Sequence, residues 1–274
     1  MDTASTLARE IPLANAREPS DHSPICCLIY ATQNGWKLPI LFEEMDVPYD
    51  WALVDFERRV QKSPEFLAIN PNGRIPAIID RQRGLTVAES GAILEYLATR
   101  YESALLPDPA VDLPGHLAVK QWLYWQVSGL GPAMGQAMYF SRIASVKGNH
   151  DEFAIGRFVA EAQRCLGVLD QQLQASGGPF LLGPRISLAD VACFPYCAST
   201  YWARVDISSM GHLQAWIERL HARPSFRVGL TIPFARRAFF GPPHATQEEI
   251  DAEIARNAAQ FAVVTKRPQP EPQS

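Results

Sequence analysis

The stretch from Asn70 to Tyr96 constrains the fold more than any other part of this chain. Asn70-Pro71-Asn72-Gly73-Arg74-Ile75-Pro76 leads into a short apolar run, Ala77-Ile78-Ile79-Asp80. Arg81-Gln82-Arg83-Gly84 then connects it to Leu85-Thr86-Val87. Two short apolar runs joined by a glycine-bearing link read as a strand hairpin. Glu89-Ser90 opens a helix over 90–101, with Ile93, Leu94, Leu97 and Tyr101 on one face. Pro76 has no N–H for a ladder, and a cis bond before it would turn the Ile75 backbone outward, where an extended ligand could pair with it. Glu89 and Ser90 stand where free N–H groups and the helix dipole favour a carboxylate. Together these features make a cradle for a small peptide with a free amino-acid head.

Composition narrows the classes. A chain of 274 residues with 47% apolar content can bury a sizeable core in one large or two modest domains. A net charge of −4, with no basic cluster interleaved with aromatics, argues against nucleic acid as a partner. No apolar run has the length of a membrane span, and residues 1–23 lack the pattern of a secretory signal. Cys26, Cys27, Cys165, Cys193 and Cys197 form no CxxC pair and no zinc spacing, so no metal is expected. Their odd number favours a reducing, cytoplasmic compartment.

Organisation along the chain suggests five segments. Residues 1–23 are polar and proline-broken and read as a disordered tail. Within 24–104, Ile25 to Tyr30 reads as a buried strand, followed by a loop at 31–33. A helix carrying Leu38, Ile40, Leu41, Phe42 and Met45 comes next, then a strand over 49–54 and a short helix from Ser63-Pro64. This order is thioredoxin-like once the hairpin and its following helix are added. A proline-containing linker at 105–114 precedes an all-helical segment, 115–240, with a kink expected at Gly131-Pro132. Ser187-Leu188-Ala189-Asp190 reads as a capping box with Ile186 and Val191 as its staple, and a later helix is stopped near Pro224. Residues 241–274 hold a second capping box, Thr246 to Glu249, and a helix over about 247–262 with Ile250, Ile254 and Phe261 on one stripe. Whether that helix covers a cleft or sits loosely on the surface stays open.

Two motifs carry a resemblance: Thr32-Gln33-Asn34-Gly35-Trp36-Lys37 and Trp125-Gln126-Val127-Ser128-Gly129-Leu130-Gly131-Pro132-Ala133-Met134-Gly135-Gln136. The chain resembles the glutathione transferases over roughly residues 24 to 232. It is most similar to the branch holding the bacterial nu-class enzymes and the yeast nitrogen-catabolite regulator known as a prion, in the style of its fungal members. The resemblance implies a thioredoxin-like α/β first domain, an all-α second domain, glutathione as co-substrate and a homodimer. It implies that Asn34, and after it Thr32, lie by the glutathione sulfur. Ile75 with Pro76 would pair with the cysteinyl backbone, and Glu89 with Ser90 would hold the γ-glutamyl head. Gln61 would lie near the glycine end. Lys37 either attracts the glycine carboxylate or is a solvated first-turn lysine. Gln33 departs from the proline usual in this branch.

A free thiol titrates near ~8.5. Lowering that by about two units takes about 2.7 kcal/mol of preferential thiolate stabilisation, an order that hydrogen bonds and a helix N-terminus supply. Thr32 and Asn34 lie between the first strand and first helix, although either residue there also reads as a plain helix cap. Cys26 and Cys27 sit inside an apolar strand and read as core. A second substrate is expected between the domains, among Trp36, Trp125, Met134, Met138, Tyr139, Phe140, Arg142 and Trp202, with several of these serving as core instead. The implied reaction is attack of the glutathione thiolate on an apolar electrophile, in secondary metabolism or detoxification. Glutathione-dependent disulfide reduction and a non-catalytic regulatory role are the alternatives.

Overall fold

The computed structural model describes residues 23–144 and 150–264, leaving aside the side chains of 258 and 260–264. The expected tails at 1–22 and beyond 264, and the Phe261 side chain, lie outside the described residues. Four strands form one mixed sheet in the order β2-β1-β3-β4. Strand β1 (Ile25–Ile29) is buried along its whole length, as its unbroken apolar sequence requires. It pairs parallel with β2 (Asp50–Leu53) and antiparallel with β3 (Ala77–Asp80), which pairs with β4 (Leu85–Ala88). Alternation along β1 separates two cores. Ile25, Cys27 and Ile29 face the large core shared with the helical domain. Cys26 and Leu28 face a smaller one completed by Val54, Phe66 and Ile79.

Helix α1 (Gln33–Met45) crosses between β1 and β2. Helix α2 (Pro64–Ile69) starts at the expected cap, with Ser63 Oγ accepting from Phe66 N at 3.2 Å. Helix α3 (Ser90–Arg100) follows the hairpin, whose turn places Gly84 at φ 62°. This is the thioredoxin-like order read from the sequence.

Helix α4 (Leu113–Trp125) begins inside the stretch read as linker, because Asp112 caps it through Gly115 N and Pro114 suits its first turn. The kink expected at Gly131-Pro132 is instead a wide, π-type turn over Gln126–Leu130. Helix α5 (Gly131–Met138) follows, then a second wide turn over Tyr139–Ala144. Widening the helix before proline accommodates the missing N–H without a break. Helix α6 (Glu152–Ser176) packs on α5.

Helix α7 (Leu188–Cys197) starts at the expected capping box. Asp190 does more than cap: it accepts from Ser187 N and Oγ, from Leu181 N and from Trp216 Nε1, all at 2.9–3.0 Å. One carboxylate thereby pins α7 to the helix bearing Trp216. Helices α8 (Thr200–Ala203), α9 (Gly211–Ala222) and α10 (Pro224–Gly229) follow. Pro224 ends the expected helix and also begins α10. Helix α11 (Gln247–Val264) opens on the second capping box, with reciprocal bonds between Thr246 and Glu249. No described helix is long and apolar enough to cross a membrane.

Candidate functional site

A cavity of about 570 Å³ lies between the sheet domain and the helical domain. Its polar side is formed by Thr32, Gln33, Asn34, Glu89, Ser90 and Gln126. Its apolar side is formed by Tyr30, Phe56, Met138, Tyr139, Trp202 and Phe239. A larger cavity of about 630 Å³, around His221 and His244, contains none of the residues singled out from the sequence.

The start of α1 brings backbone N–H groups to the polar side. Thr32 Oγ1 accepts from Gly35 N at 3.3 Å, so Thr32 does serve as a cap while also lining the cavity. Position 35 must be glycine, because a Cβ there would strike the Tyr30 carbonyl oxygen. Asn34 lies within reach of two hydroxyls. Ser90 Oγ donates to its Oδ1 at 3.4 Å, and its side chain also bonds Tyr196. Burial pushes the Tyr196 hydroxyl up to about 12, with Asn34 pulling the other way. Glu89 adopts φ 70°, a left-handed conformation unusual outside glycine, and its side chain makes no cap bond to α3. Its side chain lines the cavity beside Ser90. The Ile75–Pro76 bond is cis, and strand pairing starts only at Ala77, leaving the Ile75 backbone ahead of the ladder and next to cavity-lining Arg74.

Lys37 departs from both sequence expectations. It is 0% exposed, neither solvated nor on the cavity surface. Its Nζ donates to Ser90 Oγ at 3.1 Å and to Gln126 Oε1 at 2.6 Å, which joins the two domains beneath the site. Burial pulls its pKa down to about 7, against the opposing influence of Glu89.

Several other expected contacts fall elsewhere. Gln61 stands outside the cavity lining, with its Oε1 buried and unpartnered. Trp36 is 0% exposed and packs against Phe239 and Phe240 at 5.8 and 5.6 Å, as core. Trp125 packs edge-on to Trp122 at 5.0 Å. Met134 is fully buried behind the lining. Arg142 donates to the carbonyls of Trp202 and Tyr201 at 3.3 Å and so braces Trp202 without lining the cavity. The cause is common to α4 and α5: a helix offers the cleft one face, here Val127, Gly131, Gly135 and Met138, and its other apolar residues go to the core.

Sequence reasoning missed Tyr30, Phe56, Gln126, Tyr196, Arg236, Phe239 and Asn257. Gln126 sits inside a quoted motif, which was the signal available for it. Arg236 and Asn257 settle the open question about the last helix. Arg236 Nε donates to Glu253 Oε1 at 3.1 Å, and Nη2 reaches Asn257 Oδ1 at 3.3 Å. Nη1 donates to the Ala31 carbonyl at 2.8 Å. Helix α11 therefore packs over the cleft and lends Asn257 to its wall.

All five cysteines are buried and unpaired. Burial raises the Cys26 thiol to about 11 and lifts Cys27 and Cys193 as well, the reverse of what a nucleophile needs. Among the described residues, no group of three or more His, Cys, Asp and Glu is placed to hold a metal ion.

Two family models match this chain: Glutathione S-transferase, N-terminal domain, over residues 29–99, and Glutathione S-transferase, C-terminal domain, over residues 152–220. The chain belongs to the glutathione S-transferase family. It is 37% identical over 199 residues to the disulfide-bond oxidoreductase YfcG of Escherichia coli, covering 71% of this chain and 88% of that one. It is 35% identical over 227 residues to the glutathione S-transferase-like protein tpcF of Aspergillus fumigatus, covering 77% and 96%. Among solved structures, a glutathione transferase from Burkholderia graminis with two glutathione molecules bound per subunit superposes with a TM-score of 0.73. It is 35% identical, with 83% of this chain and 93% of that one covered. The cleft thus lies between the two domains that define the glutathione S-transferase family.

Proposed function

We propose that this protein binds glutathione in the interdomain cleft and adds its thiolate to an electrophilic carbon of an apolar small molecule. The observation that carries this reading is the convergence of Asn34, Ser90 and Glu89 on one cavity wall at the openings of α1 and α3. Ser90 and the first N–H groups of α3 receive the γ-glutamyl carboxylate, and Glu89 receives its ammonium. The exposed edge at Ile75 pairs with the cysteinyl main chain. The sulfur then lies at the start of α1, where Asn34, with Thr32, stabilises the thiolate. The electrophile lies against Tyr30, Met138, Tyr139 and Trp202. The new S–C bond forms as the electron pair moves onto the acceptor, which takes a proton from water when it is an enone or imine. Such a step serves secondary-metabolite synthesis or detoxification. Five buried unpaired cysteines support a reducing, cytoplasmic setting, and a homodimer is part of the same proposal.

A second reading, glutathione-dependent disulfide reduction, is favoured by the relationship to the Escherichia coli oxidoreductase and by the two glutathiones in the Burkholderia neighbour. Turnover of a mixed glutathione disulfide alongside a model enone separates the two. The underlying binding claim is tested by calorimetric titration of glutathione into wild type, Ser90→Ala and Asn34→Ala. Ser90→Ala is expected to weaken binding about tenfold or more. Asn34→Ala is expected to keep binding and lose thiolate absorbance. Absence of wild-type binding at millimolar glutathione removes the enzymatic reading and leaves a non-catalytic binding role.

A further inference from the structure

Beneath the cleft, the hydrogen bonds of Lys37 have a polarity that constrains their neighbours. In its protonated form, which it holds below about pH 7, Lys37 only donates. By donating to Ser90 Oγ it occupies the hydroxyl's acceptor side and directs its single hydrogen elsewhere. Among the described residues that hydrogen goes to Asn34 Oδ1 at 3.4 Å, a long and weak bond. By donating to Gln126 Oε1, Lys37 also fixes which way the Gln126 amide points. Gln126 is 1% exposed and lines the cavity, yet its Nε2 is buried with no partner. An orphaned buried donor is costly unless something arrives to accept from it.

We propose that Lys37 is a positioning residue that sets Ser90 and Gln126 as paired donors for a ligand carboxylate, and that Lys37 takes up a proton when that carboxylate binds. This rests on the glutathione reading and adds to it Gln126 as a carboxylate donor, with a buried cation beneath the site. The ligand class is an α-amino carboxylate head.

The groups that act on the Lys37 charge come from two sides. Glu89 at the start of α3 favours it, Cys193 on α7 is held neutral by burial, and the Tyr196 ring on α7 lies 5.6 Å from Nζ. Burial outweighs Glu89 and brings the Lys37 pKa down to about 7. An anion set beside Ser90 holds the proton on Lys37 to higher pH. Affinity is therefore level below about pH 7 and falls as pH rises above it, up to the higher pKa of the complex.

The test uses S-methylglutathione, whose blocked thiol cannot release a proton. Titration calorimetry at pH 8, in two buffers of different ionisation enthalpy, counts protons for wild type, Lys37→Met and Gln126→Leu. Wild type is expected to take up a substantial fraction of a proton that Lys37→Met does not, with the ligand's own amine common to both. Both variants are expected to bind about tenfold or more weakly. Equal affinity and equal proton count in all three proteins overturns the proposal while leaving the glutathione reading intact. No binding by wild type overturns the glutathione reading itself. Should Lys37→Met fail to fold, the Gln126→Leu affinity and the wild-type proton count at pH 6 against pH 8 decide the matter. Undiminished Gln126→Leu affinity, with no pH difference in uptake, rejects the proposal.

Discussion

Arg236 donates to the carbonyl oxygen of Ala31 across a sequence separation of 205 residues, at 2.8 Å. Ala31 immediately precedes Thr32, the cap of α1, so the last helix is tied to the loop that presents Asn34. The guanidinium also pairs with Glu253 and lies 4.5 Å from the Phe239 ring centroid, inside the cavity wall.

Arg236→Met is therefore expected to leave the buried Glu253 carboxylate with only the half-exposed Arg256 and the Asn257 amide as partners. Removing one member of a buried pair typically costs about 3–5 kcal/mol, and undocking α11 relieves that locally. Hydrogen exchange should rise sharply over residues 247–257 while the sheet keeps its protection. The double variant Arg236→Met/Glu253→Leu should restore much of the protection, since no charge is then left buried. Unchanged exchange in the single variant would show that α11 is held by its apolar contacts alone.

His221 gives a pH dependence. Burial first, then His244 and Arg227, pulls its pKa down to about 4. The unfolded chain takes a proton near ~6.5 that the folded chain refuses. Stability contributed by neutral His221 is thus complete above about pH 6.5 and is lost as pH falls toward 4. Melting temperatures across that range should fall with acid. His221→Phe, which keeps a ring against Phe240, should flatten the slope. An equal slope in both proteins would assign acid sensitivity to other groups.

Gly229 closes the contact between α10 and α1. A Cβ there would stand 2.6 Å from Ile40 Cγ1 and 2.7 Å from Ile40 N. Backbone cannot yield as a side-chain tip does, so Gly229→Ala is expected to cost about 1–3 kcal/mol. Urea unfolding should show a lower midpoint with an unchanged slope.

The thiols should be silent. All five are buried, and a charged disulfide reagent should react with none of them rapidly in the native protein. Replacing Cys26 and Cys27 by Ala should leave glutathione-dependent turnover in place, whichever reaction it proves to be. Loss of turnover with an unchanged melting temperature would return these residues to consideration.

The parts of this fold legible in the sequence are those written locally. Ser63-Pro64, the Ser187–Asp190 box and the Thr246–Glu249 box each encode a helix start within four residues, and all three helices begin there. The hairpin and its glycine turn are equally local. Lys37 was misread because a charge in the first turns of a helix is normally solvated, whereas α1 is buried on nearly every side from Gln33 to Phe42. The distant Ser90 and Gln126, which accept from Lys37 Nζ, make that burial tolerable. Trp36, Trp125 and Met134 show the complementary difficulty: helical spacing tells which residues are inside, but not which inside surface adjoins the cleft. Arg236 and Asn257 carry no local mark at all, since their partners are each other, Glu253 and a carbonyl near the opposite end of the described chain.

The cleft wall runs from Tyr30 to Asn257, and this has a consequence for synthesis. A ribosome delivers the sheet domain, with Asn34 and Ser90, long before it delivers the helix that closes the wall. The early domain must therefore mature without its final boundary, and the ligand can meet a complete binding surface only after Asn257 has been added.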